Sequence, residues 1–451
     1  MRSMRFLLVP GVSAAALSIT LGCTASAEQV APPNNKLFFP TGMAVTPGDA
    51  MLFVANANSE LVYDSGTISP IDLANVDQIV QAWTSSTKTI PEGCSQDTDH
   101  TETLICPDST FIQAPAAARV GNFATAIAVQ DTHDGKLRLV VPTRGDPSIA
   151  WVDWDGTALS CNANGEAFAL CDDAHRLTFV HNDPNLEQIP DEPYDVYADS
   201  DADFATVTHL TTGSVTLIDS PRGGTATIAD VVTGIFQADP TTGLTGATGI
   251  AGRKAGSDGA MVYVGARSEN RIQMFTVAHP LNGAPPYLIS GNWFFLDAVG
   301  ANAGSSFDTR GIEFSASGDR AYVINRNPAS LQVIDTSLSV TGFPTNKLIA
   351  ATSICRQASK LAVMDSGDGD RAYVTCFSDG ALQVVDPRDG ASVIDVVAIG
   401  RGPYAIAASP LRKKVYVTNF LENTVAVVDV APDSPLRDRV VLRIGIPTPQ
   451  P

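Results

Sequence analysis

The chain has 451 residues, and 29 Lys+Arg against 48 Asp+Glu give it a formal charge of −19. No basic stripe offsets that excess, which argues against nucleic acid as a partner. Hydrophobic residues make up 44%, enough for a packed core, while only 17% are charged and Gly 36 and Pro 29 are high, a composition of many short strands and turns.

At the N-terminus, Arg2 and Arg5 precede an apolar run from Phe6 to Leu21. This is the pattern of a secretory leader, too short and too early for a spanning helix. It ends in Thr20-Leu21-Gly22-Cys23, which resembles the lipobox of bacterial lipoproteins. The resemblance implies cleavage before Cys23, lipid on that cysteine, and sorting to the outer membrane, facing the periplasm or the surface, because Thr24 and not Asp follows. The expected divisions are 1–22 as leader, 23–35 as lipidated Cys23 and tether, 36–446 as the folded body, and 447–451 as a Pro-rich tail. An ordinary secretory signal cleaved near Ala25-Ser26-Ala27 is the alternative.

The body repeats. Its last copy reads Gly402-Pro403-Tyr404-Ala405-Ile406-Ala407, then Lys414-Val415-Tyr416-Val417-Thr418-Asn419, then Thr424-Val425-Ala426-Val427-Val428-Asp429. Earlier copies carry Arg371-Ala372-Tyr373-Val374-Thr375 and Arg320-Ala321-Tyr322-Val323-Ile324-Asn325, and others begin near Gly42, Ala126, Asp195 and Gly249. The count is seven. Tyr416-Val417-Thr418-Asn419 in this setting resembles the YVTN-type β-propeller repeat, over nearly all of the body and most closely in the three C-terminal copies. The resemblance implies an all-β, seven-bladed propeller of four-stranded antiparallel blades. The residues agree: short β-branched and aromatic runs alternate with turn residues, and the first run of each copy holds the small residues an innermost strand needs. Wider spacing in the first two copies indicates insertions at Trp83 to Gly121 and Asp155 to His175.

Apart from Cys23, six cysteines fall into neighbouring pairs: Cys94 with Cys106, Cys161 with Cys171, Cys355 with Cys376. Proximity alone suggests this pairing in an exported protein. The first two bridges would lie in the two insertions. With no C-x-x-C and no histidine at ligand spacing, no metal centre is expected, and no cofactor. Asp199, Asp201 and Asp203 have the alternating oxygens of a calcium loop, as a second group at Asp365, Asp368 and Asp370 does, but Asp and Gly are ordinary hairpin residues at these positions.

In propellers, loops leading into the inner strand and loops joining the second and third strands share one face. Ligand-binding candidates there are Arg144, His209, Arg267, Asp308, Arg310, Arg326, Arg401 and Tyr404, with Tyr194 and Asp195 in the same class of loop. Arg144, Arg267 and Arg326 hold one position in three copies and could gather an anion, or pair with rim carboxylates such as Asp146 and Glu269. No hydrolase, zinc or phosphate-loop motif is present. The leading expectation is therefore a non-enzymatic scaffold, anchored to the membrane by lipid and presenting loops to an envelope protein or polymer. The alternative is a propeller enzyme of lactonase or lyase type, its site at the tunnel mouth around His209, Asp308 and Arg401.

Overall fold

Each of the seven copies forms one antiparallel sheet in the computed structural model, which describes residues 30–253, 260–281, 283–297 and 307–448. The leader, Cys23 and most of the expected tether lie outside the described residues. The inner strands, blade by blade, are Pro40–Val45, Ala128–Asp131, Pro193–Asp199, Ala247–Arg253, Thr309–Phe314, Ala358–Asp365 and Pro403–Ser409. The further strands of each blade follow outward in chain order, as in blade 6, where Asp370–Cys376, Ala381–Asp386 and Ser392–Ala398 are joined by hairpins, while blade 1 reaches its outer strand, Ala118–Val120, only after an insertion. The architecture is a seven-bladed β-propeller.

Alternation decides what lies between the blades. The second strands put side chains on both faces into clefts against neighbours, so Val415, Tyr416 and Val417 are all fully buried, as are Tyr263, Tyr322 and Tyr373 in other blades. Seven apolar clusters result, one per cleft, for example Tyr322, Leu331 and Val333 against Leu361, Val374 and Cys376 between blades 5 and 6. Each fully buried Val, Leu or Ile contributes about 1.5–3 kcal/mol. Near the axis, threonine hydroxyls stitch adjacent inner strands: Thr41 donates to the Ala124 carbonyl at 2.5 Å and Thr125 to that of Tyr194 at 2.5 Å. Crowding there selects small residues. A Cβ on Gly42 would stand 2.9 Å from the backbone of Ala126.

Ring closure is made by the insertion in blade 1. Blades 1 and 7 draw their inner three strands from the two ends of the described chain and share no strand among these. After its third strand blade 1 continues into a helix, Leu73–Thr84, whose first turn Asp72 caps by accepting from Ala74 N–H. Leu73, Val76, Ile79, Val80 and Trp83 face the cluster between blades 1 and 7. Next, Leu104–Cys106 adds in parallel to Arg439–Ile444, the outer strand of blade 7, pairing Leu104 with Leu442 and Cys106 with Ile444. Thr103 donates to the Val440 carbonyl at 2.7 Å and Gly445 N–H to that of Cys106 at 2.8 Å. At the same seam Asp49 accepts from the Ser409 hydroxyl at 2.7 Å and from Leu411 N–H at 2.8 Å.

All three disulfides form: Cys94–Cys106 within this strap, Cys161–Cys171 in the blade 2 insertion, and Cys355–Cys376 in blade 6. The acidic groups are turn formers. Asp199 accepts from Asp201 N–H and Ala202 N–H, and Asp203 pairs with Arg222. In the second group, Asp365 accepts from Gly367 and Gly369, while Asp368 pairs with Arg371 and Arg437.

Candidate functional site

One backbone hydrogen bond recurs in every blade at the tunnel mouth. The N–H of the residue leaving the second strand donates to the carbonyl of the residue that turns into the inner strand. The pairs are Ala57 to Phe39, Arg144 to Phe123, Leu210 to Glu192, Arg267 to Gly246, Arg326 to Asp308, Phe377 to Gln357 and Phe420 to Gly402, at 2.8–3.4 Å. In six of the seven the accepting residue has positive φ, Asp308 being the exception. Two residues further on, the chain reaches the axis at Thr41, Thr125, Tyr194, Thr248, Arg310, Ser359 and Tyr404, so three concentric sets of side chains ring the mouth.

These rings are not uniform around the axis. Blades 2 to 5 supply charge. Arg144 pairs with Glu192 at 2.5 Å, and Arg310, almost wholly buried, pairs with Asp308 through Nε at 2.7 Å and through Nη2 at 2.9 Å. Arg310 Nη1 also donates to the Tyr194 hydroxyl at 3.2 Å, and that hydroxyl meets the Tyr404 hydroxyl at 3.2 Å. Burial alone would raise the Tyr194 phenol, but Arg310, Lys360 and Arg326 overcome it and hold the group below its ordinary value. Tyr404, also raised by burial and then by Tyr194, is kept neutral. Arg326 donates to the Ala358 carbonyl at 2.7 Å and to the Ser359 hydroxyl at 3.1 Å, and burial followed by the nearness of Arg310 lowers its pKa.

Just inside lies a cavity of about 120 Å³, lined by Asp195, Glu313 and Lys360 among small and aliphatic residues of all seven inner strands. Lys360 Nζ lies 2.5 Å from Asp195 and 5.5 Å from the centre of the Tyr194 ring. Glu313 sits two residues deeper along its strand than Gly311, which lines the same cavity. Its side chain is exposed by accessible area, and it lines the tunnel cavity. Desolvation, then Asp195, push its carboxyl up to about 7 against the pull of Lys360. A carboxylate that titrates near neutrality beside a fixed ammonium can act as a general base.

The other expected residues go elsewhere. His209 is fully buried at the end of its strand, Nε2 against the Thr216 hydroxyl at 2.8 Å and Nδ1 against the Asp191 carbonyl at 3.1 Å. It does what Asn56 and Asn419 do at the same place in other blades, where they bond to hydroxyls of the third strand. Burial depresses its pKa to about 4. The unfolded chain therefore takes up a proton below about 6.5 that the folded chain refuses until about 4, and stability falls across that window by roughly 3 kcal/mol. His209→Asn is expected to flatten this acid loss while leaving stability at pH 8 within about 1 kcal/mol, which denaturant titration at pH 5 and pH 8 measures. Arg401 lies at the blade 7 rim with Glu422, at 3.4 Å, outside the cavity. Arg267 has no carboxylate partner among the described residues, Asp146 pairs with Arg176, and Glu269 with Arg271.

Lys360 and Glu313 were not singled out in the sequence. The signal was available: where other copies have Gly42, Ala126, Gly249, Gly311 or Ala405, two have Asp195 and Lys360.

No protein-family model matches the chain, and no curated protein sequence matches it. Solved structures do. A putative 6-phosphogluconolactonase from Bacteroides fragilis is similar over 91% of this chain and 97% of its own, with TM-score 0.55 at 12% identity. The periplasmic gluconolactonase of Pseudomonas aeruginosa is similar over 80% and 86%, with TM-score 0.50 at 14% identity. A protein from Lactobacillus plantarum gives 90% and 96%, 0.54 and 14%. Likeness at this identity establishes the propeller fold. The expectation of a non-enzymatic interaction scaffold is corrected here, since the two of these neighbours with a named activity are a gluconolactonase and a putative 6-phosphogluconolactonase, which favours the lactonase alternative over it.

Proposed function

We propose that this chain is an exported hydrolase of lactonase type, with its site in the tunnel beneath Tyr194 and Tyr404. The observation that carries the reading is the shared lining of one cavity by Glu313 and the Asp195–Lys360 pair, the pair 2.5 Å apart, with the Glu313 carboxyl pushed up to about 7. Glu313 takes a proton from water as the water oxygen bonds to the lactone carbonyl carbon. Negative charge that develops on the carbonyl oxygen is stabilised by Lys360, with Arg310 and the Tyr194 hydroxyl above it. The bond from carbonyl carbon to ring oxygen then breaks, and the proton held by Glu313 goes to the departing alkoxide. The product is an open-chain hydroxy acid. Its carboxylate leaves past the guanidiniums of Arg326 and Arg144. The cavity, about 120 Å³, is smaller than the roughly 150 Å³ that holds benzene, so a ring larger than that of γ-butyrolactone must extend into the space above.

The test is a pH-stat assay on glucono-δ-lactone and γ-butyrolactone with the body lacking its leader. Acid release above the uncatalysed rate that disappears in Lys360→Met supports the reading. No release on either lactone, with the fold intact by circular dichroism, overturns it.

Three disulfides support an oxidising compartment. With Gly22-Cys23 at the end of an apolar leader, they support placement outside the cytoplasm, as a lipoprotein of the outer membrane held by lipid on Cys23.

A further inference from the structure

The half of the mouth opposite the charged blades is aromatic. Phe377 and Phe420, from the outer ring of blades 6 and 7, have ring centres 6.3 Å apart. Phe420 is 5.5 Å from Phe39 of blade 1, and Phe377 is 6.5 Å from Tyr404. With Phe123 of blade 2, Phe377, Phe420 and Tyr404 enclose a second cavity of about 200 Å³ that has Arg144 at its rim. This cavity shares Thr41 and Thr125 with the polar lumen below, so the two adjoin.

At two of these positions the backbone does not call for a phenylalanine. Phe39 and Phe123 occupy the turning position with φ of 49° and 56°, where blades 4 and 7 have Gly246 and Gly402. A bulky residue at positive φ is strained, and such strain gathers at functional sites. Phe123, Phe377 and Phe420 are only partly buried and line the cavity. Gly145 gives way to one of them, since a Cβ there would stand 2.3 Å from the Phe123 ring.

We propose that this arc is a subsite for an aromatic ring carried by the substrate, which makes the preferred substrate an aryl-substituted lactone and the product an aryl hydroxy acid. The ring stacks among Phe123, Phe377, Phe420 and Tyr404, and the oxygenated head reaches Lys360 and Glu313 below. A cavity of about 200 Å³ has room for one six-membered ring and a short link to the head. The identification of the head as a lactone rests on the function proposed above. The aromatic subsite does not.

Calorimetric titration with two ring-opened acids tests it without turnover: 4-hydroxy-4-phenylbutyrate and 4-hydroxybutyrate. The phenyl acid is expected to bind at least tenfold more tightly. Phe420→Ala, and separately Phe123→Gly, which installs the residue other blades use and relieves the strained φ, are expected to bring the ratio below threefold. Equal affinities in the natural chain, or a preference that survives both variants, overturns the subsite. A preference lost in both variants supports it even where no lactone is hydrolysed, and that result would sink only the lactonase reading.

Discussion

Replacing Glu313 with glutamine is expected to lower kcat/KM for lactone opening by about 10²–10⁴, the contribution a positioned general base makes. The pH profile separates this role from a structural one. The active form is the carboxylate, and its folded pKa is raised to about 7. Activity in the natural chain should therefore climb as pH rises through about 7 and level off above it. In Glu313→Gln the climb should vanish and leave a low, flat line. Desolvation is the first cause of the raised value and Asp195 the second, so Asp195→Asn should slide the climb to lower pH without removing it. A climb retained in Glu313→Gln would assign the proton transfer to another group.

The second large effect is on stability. Cys94–Cys106 and Cys161–Cys171 close loops of similar length, with separations of 12 and 10 residues, so loop entropy alone gives each about 2–3 kcal/mol. They differ in what they fasten. Cys106 is itself a rung of the parallel pairing to Ile444, so losing its bridge loosens the strap that joins blade 1 to blade 7, whereas the blade 2 bridge sits beside a contact to blade 1, Cys171 N–H to the Arg119 carbonyl at 3.0 Å, between blades that the chain already joins. Cys94→Ser with Cys106→Ser is expected to lower the thermal midpoint by roughly 3–6 °C in a chain of this size. Cys161→Ser with Cys171→Ser should cost about half as much. Differential scanning calorimetry decides, and equal shifts would mean that the strap does not hold the seam.

The repeats could be read because each copy states the same physics twice: alternating Val, Tyr and Thr for a strand packed on both faces, and small residues where seven sheets converge. The helix Leu73–Thr84 was missed, although Leu73, Val76, Val80 and Trp83 fall at helical spacing, because the insertion was taken to begin at Trp83. Its pairing to blade 7 had no local signal at all, since Thr103 and its partner Val440 lie 337 residues apart. Within the site, Arg310, Asp308 and Tyr404 were legible as residues of the loops entering inner strands, and Arg326 as one of those joining second and third strands. His209 was placed with them because loop position alone does not tell a side chain turned toward the axis from one tucked beneath the turn. A register shift at the start of most inner strands made Lys360 and Glu313 harder still, since one displaced residue reverses which side chains meet the lumen. The aromatic arc follows the repeat only in part, Phe377 and Phe420 holding one position and Phe39 and Phe123 another, and its rings come from separate loops that only the fold brings together.

The seven bonds at the mouth run from amide to carbonyl and ask nothing of the side chains that flank them. Recognition and folding are thereby separable in this chain: each blade offers interchangeable seats above a fixed frame. The tariff for occupying a left-handed seat with anything but glycine is small beside what a packed cleft supplies. Ligand preference can thus drift one seat at a time through single substitutions, while the pairing beneath stays as it was.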